Sequence, residues 1–169
     1  GAKHAINGAM RFIKSSSKNN DPEYVLKGAF KAALNNIKSI ANDFSADVNE
    51  FATTLAILHV SGNECRAINV GDGFIVIDDG NELKLLNEPV KGEYFNETQF
   101  ITSQEIIKVI EDGTLSISRS KCVSFAMATD GLWPTVINGR PYEKFYRPII
   151  QYLENNNVKI DDAAVELYK

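Results

Sequence analysis

Apolar positions recur at helical spacing through the first forty or so residues and in short strand-like runs after that, and this change of period organises the chain. Ile6, Ala9, Met10 and Ile13 share one stripe, so residues 1–14 read as a short amphipathic helix. A polar connector over residues 15–20 leads to Asp21-Pro22-Glu23. That triplet is a strong helix start: a capping carboxylate, a proline at the first helical position and a further acid in the first turn. Val25, Leu26, Ala29, Phe30, Ala33, Leu34, Ile37, Ile40, Ala41 and Phe44 then form one continuous apolar stripe. Two helices joined by so short a connector are expected to pack antiparallel.

Beyond Val48 the period shortens. Residues 51–60, 65–70, 74–77 and 82–86 read as strands, separated by Ser61-Gly62-Asn63-Glu64, Gly71-Asp72-Gly73 and Asp78-Asp79-Gly80-Asn81. Turn signals at such spacing predict an antiparallel meander. Residues 87–102 form a long irregular segment, of the kind that is functional or flexible. Residues 103–112 have helical character through Ile106, Ile107 and Ile110, with a strand as the alternative. Residues 115–118 alternate, and residues 123–129 carry no charge and read as a buried strand that stops at Asp130-Gly131. A short helical turn over 132–138, the break Asn138-Gly139-Arg140-Pro141 and a helix over 142–153 follow, the last expected to bury Phe145, Ile149, Ile150 and Leu153. Asn155-Asn156-Asn157 ends it, and Asp161-Asp162 introduces a closing apolar strand over 163–168. Helices, then a run of strands, then a helix and a strand predict an α+β layered sandwich in a single domain over 1–169.

Composition narrows the function classes. The net charge is −4, and scattered Lys and Arg give no clustered basic footprint for nucleic acid. No apolar run approaches the roughly 20 residues that span a bilayer, and no signal peptide opens the sequence, so a cytoplasmic protein is expected. Cys65 and Cys122 each lie in apolar runs outside any metal spacing, which reads as two buried thiols in a reducing compartment. The sequon Asn96-Glu97-Thr98 carries little weight without a secretory signal.

Candidate chemistry rests on carboxylates. A buried strand that ends on an ionised group needs water, a cation or a donor to meet the charge. Asp130 and Asp161 read as facing each other across the ends of neighbouring strands, where they would hold a hard divalent cation such as Mg²⁺ or Mn²⁺ through oxygen ligands. Each, with Asp162, also reads simply as a turn residue. Gly71-Asp72-Gly73 reads first as a bulge or tight turn, with Asp72 accepting backbone hydrogen bonds. Gly131 is expected to give a sharp turn and room beside the Asp130 carboxylate. His4 and His59 are solitary and nominate no Ser-His-Asp or Cys-His set. Lys3, Lys91, Arg140 and Arg147 read as surface charge or as partners for an anionic substrate.

Four of these motifs, in order, resemble the protein phosphatase 2C (PPM) family. Phe51-Ala52-Thr53-Thr54-Leu55-Ala56 is similar to its small-residue and Thr strand, and Asn69-Val70-Gly71-Asp72-Gly73 to its Gly-Asp turn. Ala128-Thr129-Asp130-Gly131-Leu132-Trp133 resembles the Asp-Gly-Leu-Trp motif, and Asp161-Asp162-Ala163-Ala164-Val165 the closing acidic strand. Residues 92–102 look like an atypical bacterial branch, and residues 1–4 and 8–9 look like the segment just after that branch's first Asp-Gly-Ala-Gly motif. The resemblance implies a four-layer α-β-β-α sandwich, two antiparallel sheets flanked by helices, acting on phosphoserine or phosphothreonine of a phosphoprotein substrate. It also implies a two-metal Mg²⁺ or Mn²⁺ centre whose bridging water attacks phosphorus in line, with Asp130 and Asp161 as catalytic ligands of one metal and Asp72 as a turn former. The sequence departs from the pattern at Gly73-Phe74, in place of Ser-Arg, and at Ala164, in place of Thr. The family's N-terminal acidic strand and first Asp-Gly would lie before Gly1, so an N-terminally truncated domain is expected. A degenerate phosphatase-fold module that binds a partner protein is the alternative. An N-terminal-nucleophile hydrolase ranks last, because Gly1 offers no nucleophile.

Overall fold

The computed structural model describes residues 1–16, 21–87 and 98–156. Helices α1 (Ala2–Ser15) and α2 (Pro22–Asp43) form where the stripes predict them. Asp21 caps α2, accepting from the Tyr24 amide at 3.3 Å, and the stripe buries Leu26, Ala29, Phe30, Ala33, Leu34, Ile37 and Ala41. Gly8 lies against Ala32 and Asn36 while Phe12 lies against Gly28, so the helices run antiparallel. Asn36 Nδ2 donates to the His4 carbonyl at 2.8 Å across the pair.

The face that α1 buries differs in part from expectation: Ala9 and Ile13 pack on the core as read, but the other two stripe residues do not. Ala5, Gly8 and Ala9 are buried, whereas Ile6 and Met10 are 52% and 42% exposed. A close helix crossing selects the smallest side chains, so the larger ones fall outside it. A Cβ at Gly8 would sit 2.5 Å from the Ala32 carbonyl oxygen, a backbone atom that cannot swing away; one at Gly28 would meet the Phe12 ring. Gly8→Ala is therefore expected to lower stability by about 1–3 kcal/mol, despite a helix-propensity gain of about 1 kcal/mol. Chemical denaturation measures this, and a stabilised variant would show that the helices have room to part.

The strands form two three-stranded antiparallel sheets. Strands β1 (Leu55–Ser61), β2 (Glu64–Val70), β3 (Phe74–Asp78) and β4 (Leu83–Asn87) follow a 3₁₀ turn at Val48–Phe51, and the region read as strand from residue 51 thus pairs only from Leu55. Helix α3 (Gln104–Glu111) bears out the helical reading of 103–112. Strands β5 (Ser118–Lys121) and β6 (Ser124–Ala128) come next. The first sheet has the order β1-β2-β5 and the second β4-β3-β6. The expected meander is therefore two hairpins in different sheets: β2 and β3 do not pair, and the chain crosses between sheets at Gly71-Asp72-Gly73. It crosses again at Cys122-Val123, where Cys122 N donates to Asn63 O at 2.8 Å and Val123 N to Asp78 O at 2.7 Å.

Alternation along the strands then fixes the layers. Leu55, Ile68 and Val70 pack with α1, α2 and Ile110 of α3 on the outside of the first sheet. Cys65 and Ala67 meet Ile75 and Ile77 in the seam between the sheets. Phe74, Val76 and Leu83 turn outward to the last helix, α4 (Glu143–Asn156), whose buried anchor is Tyr146, not the predicted Leu153, which is exposed. The result is the expected α+β sandwich of two sheets with helices on both outer faces.

Strand β6 corrects the reading of 123–129 as buried. Val123, Phe125 and Met127 are 63%, 49% and 45% exposed, while Ala126 and Ala128 pack towards α4. Phe125 and Met127 pair opposite Ile77 and Ile75 on the seam face. There the first sheet covers β3 and leaves β6 uncovered among the described residues.

Both thiols are buried and free in the seam, as expected. Burial, and secondly the neighbouring Cys122, push the Cys65 thiol up from 9.0 to about 11. The unfolded chain releases this proton near pH 9 and the folded chain only near 11. The contribution to stability is therefore complete below pH 9 and is lost as pH rises through 11. Thermal midpoints measured between pH 8 and 11 are expected to fall along this course, and less steeply in Cys65→Ala.

Candidate functional site

The β2–β3 crossing and the end of β6 lie at one end of the second sheet. Phe74 pairs with Ala128, so Asp72 and Asp130 both lie just beyond that last pair, on adjacent strands. The start of β1 and Gly1 belong to the same end, with Gly1 beside the carbonyls of Phe51 and Ala52.

The crossing is tightly built. Gly71 has φ +116°, and a Cβ there would fall 2.2 Å from Thr54 Cγ2, so both backbone and space demand glycine. Asn69 Nδ2 donates to the carbonyls of Gly71 at 3.1 Å and Gly73 at 2.9 Å, spanning the turn like a staple. Asn87 Nδ2 adds a donor to Gly73 O at 3.3 Å. Thr98 Oγ1 donates to the Asp72 carboxylate at 2.9 Å. Asp72 is thus a turn residue with a side-chain partner, where backbone amides were expected.

Asp130 is different. It is exposed, it opens a 3₁₀ turn at Asp130–Thr135, and among the described residues its carboxylate takes no hydrogen bond or ion pair. Gly131 does not have positive φ, and a Cβ there would meet only Thr129 Oγ1 at 3.8 Å. The expected sharp glycine turn is absent; the carboxylate has open room because the chain leaves the sheet as a 3₁₀ turn. The next break is a genuine tight hairpin, Asn138 and Gly139 at φ 52° and 75° joining β7 (Val136–Ile137) to β8 (Arg140–Pro141). Beside Thr129 a cavity of about 300 Å³ opens between α1, β1 and β6, lined among others by Ala2, Ile6, Thr54, Asn69 and Met127.

Other candidates fall elsewhere. Asp161, Asp162 and Lys91 lie outside the described residues, as do residues 88–97 of the long irregular segment and the closing strand. Among the described residues no three Asp, Glu, His or Cys side chains converge on a metal-sized gap. His4 stacks edge-on with Phe51, and His59 lies opposite Arg66 in the β1–β2 ladder. Arg147 bonds Glu143 at 3.1 Å and Asp78 at 3.3 Å, at the far end of β3 from Asp130. Arg140 is exposed on the small hairpin. The acidic turn at Asp78-Asp79 is satisfied locally: Lys84 first, then the Asn81 and Glu82 amides, hold the Asp79 carboxyl well below the usual carboxylate range.

A single exposed carboxylate of this kind fits a hard, oxygen-seeking cation such as Mg²⁺ or Mn²⁺ in donor chemistry, with further ligands needed to complete a shell. Sequence reasoning missed the supports. Asn69 and Thr54 stood inside quoted motifs with no role given. Thr98 gave no signal, since its partner Asp72 is 26 positions away.

The comparisons agree with this frame. The sequence model of the protein phosphatase 2C family matches residues 1–166. Serine/threonine-protein phosphatase 3 of Escherichia coli (strain K12) is 28% identical over 176 residues, covering 100% of this chain and 68% of the relative. The chain belongs to the protein phosphatase 2C family and by that resemblance is a protein phosphatase. No helix among the described residues is long and apolar enough to cross a membrane.

Proposed function

We propose that this chain is a metal-dependent phosphatase domain acting on phosphoserine or phosphothreonine in proteins, with Asp130 and Asp161 as ligands of one Mg²⁺ or Mn²⁺. The observation that carries the reading is the exposed Asp130 carboxylate, free of protein partners among the described residues, beside the rigid Asp72 crossing. When bound, the metal centre supplies a water of lowered pKa and neutralises charge on the phosphoryl oxygens. The chain's own part is to hold donors still. Strand β6 and the following 3₁₀ turn set Asp130 at the sheet end, open to solvent. Asn69, Thr98 and Gly71 fix the neighbouring crossing, so that the sheet end does not reorganise as charge develops. The net reaction is hydrolysis of a phosphomonoester to the hydroxyl side chain and inorganic phosphate.

The reading is tested with a phosphothreonine peptide, following phosphate release with Mn²⁺ and after exhaustive chelation. Release that depends on Mn²⁺ and returns on its re-addition is expected. Equal release with and without the metal would overturn the metal role. A folded protein with no release under either condition would leave the partner-binding module as the better reading.

A further inference from the structure

A second surface lies on the outer face of the first sheet, away from the second sheet that carries Asp130. Helices α2 and α3 leave a groove of about 430 Å³ between them, in the range of ligand sites. Its apolar part is made by Phe12, Tyr24 and Ile110. The Phe12 and Tyr24 rings lie 6.0 Å apart, and Tyr24 is 59% exposed, a large aromatic surface left to solvent. Lys27 and Lys31 stand one helical turn apart on the α2 wall, and among the described residues neither makes an ion pair. The opposite wall holds Glu111 and Asp112, but Lys38 occupies Glu111 at 2.7 Å. Glu111 also feels the charge of Lys31, so that with Lys38 three lysines stand against the two carboxylates Glu111 and Asp112.

Charge over the whole chain points the same way. Residues 1–43 hold seven Lys and Arg against three Asp and Glu, in a chain whose net charge is −4. The α1–α2 pair is thus basic while the remainder is acidic, a segregation that steers an anionic partner to this face. We propose that the α2–α3 groove docks an acidic segment of a partner protein, with one apolar side chain set against Phe12 and Tyr24 and its carboxylates against Lys27 and Lys31. Arrangements of this kind pair an aromatic anchor with flanking charge. Binding here is independent of turnover, so it stands or falls separately from the phosphatase reading.

The probe is a fluorescein-labelled heptapeptide of Glu and Asp with one central Phe, followed by fluorescence anisotropy with the full chain at low and at physiological salt. Saturable binding that weakens with salt is expected. It should weaken about tenfold in Lys27→Glu/Lys31→Glu, as expected for reversing two charges at a partly desolvated contact, and similarly when the central Phe is replaced by Ser. Asn35→Trp, which fills the groove from an exposed position, is the second variant and should also abolish saturation. Circular dichroism confirms that each variant is folded. Absence of binding by the native chain, equal binding of a peptide with Lys in place of every acid, or affinity unchanged in both variants would each overturn the proposal.

Discussion

Asp130→Asn is expected to lower phosphopeptide turnover with Mn²⁺ on the order of 100-fold while leaving the fold intact, because one interaction with developing transition-state charge is commonly worth that much. The exchange keeps the side chain's shape and removes its charge, so a hard cation loses an anionic ligand and gains an indifferent amide oxygen. Stability should scarcely move. Asp130 is exposed and, among the described residues, holds nothing else in place, and surface exchanges of this kind stay within about 0.5 kcal/mol. Steady-state rates over a Mn²⁺ titration, with the melting temperature measured in parallel, separate the two effects. Partial recovery at high Mn²⁺ would mark weakened metal affinity. A rate within twofold of the native protein at all Mn²⁺ concentrations would remove Asp130 from the mechanism.

Phe30→Ala should do the reverse, costing stability and sparing the chemistry. Phe30 is fully buried in the cluster that joins α1 and α2 to the first sheet. Truncating such a ring forfeits its transfer free energy and leaves a cavity, together about 3–5 kcal/mol. Against a total stability of roughly 5–15 kcal/mol for a typical domain, that is a large share. A domain of this size should lose on the order of 10 °C in melting temperature. Below that transition the variant should retain most of its turnover, since Phe30 sits in the helix–sheet core and not among the residues that hold the Asp72 crossing. Calorimetry and a rate measurement well below the midpoint check both halves. A loss of rate as large as that of Asp130→Asn, in a folded sample, would mean that the helix layer positions the site far more directly than its packing suggests.

Local patterns foretold most elements. Asp21-Pro22-Glu23 and the α2 stripe are legible because capping and periodicity act within a few residues. The turns at Gly62, Gly80 and Asn138-Gly139 are legible for the same reason, as each has a residue suited to positive φ. Asp72 and Asp130 were singled out because carboxylates stood where apolar runs stopped. What failed involved partners remote in sequence. The two hairpins looked like one meander because the residues between β2 and β3 resemble an ordinary turn, and only pairing of β3 with β6 sends it to another sheet. Ile6 and Met10 read as core because they are apolar, yet it is Gly8 that suits the close contact with Ala32 and Asn36.

By itself the sequence determined helices α1, α2 and α4 and the helical character of 103–112, the strand-like runs and their breaks, the acidic character, and a family likeness carried by short motifs in order. These depend on neighbours a few positions apart, and the chain spells them out directly. Only the tertiary structure decided which sheet each hairpin enters, which face of α1 and of β6 is covered, and that Thr98 anchors Asp72. It also set Asp130 out into solvent at the end shared with that crossing. Those outcomes follow from packing and hydrogen bonding between segments tens of residues apart, where the choice of partner is settled by the whole fold at once.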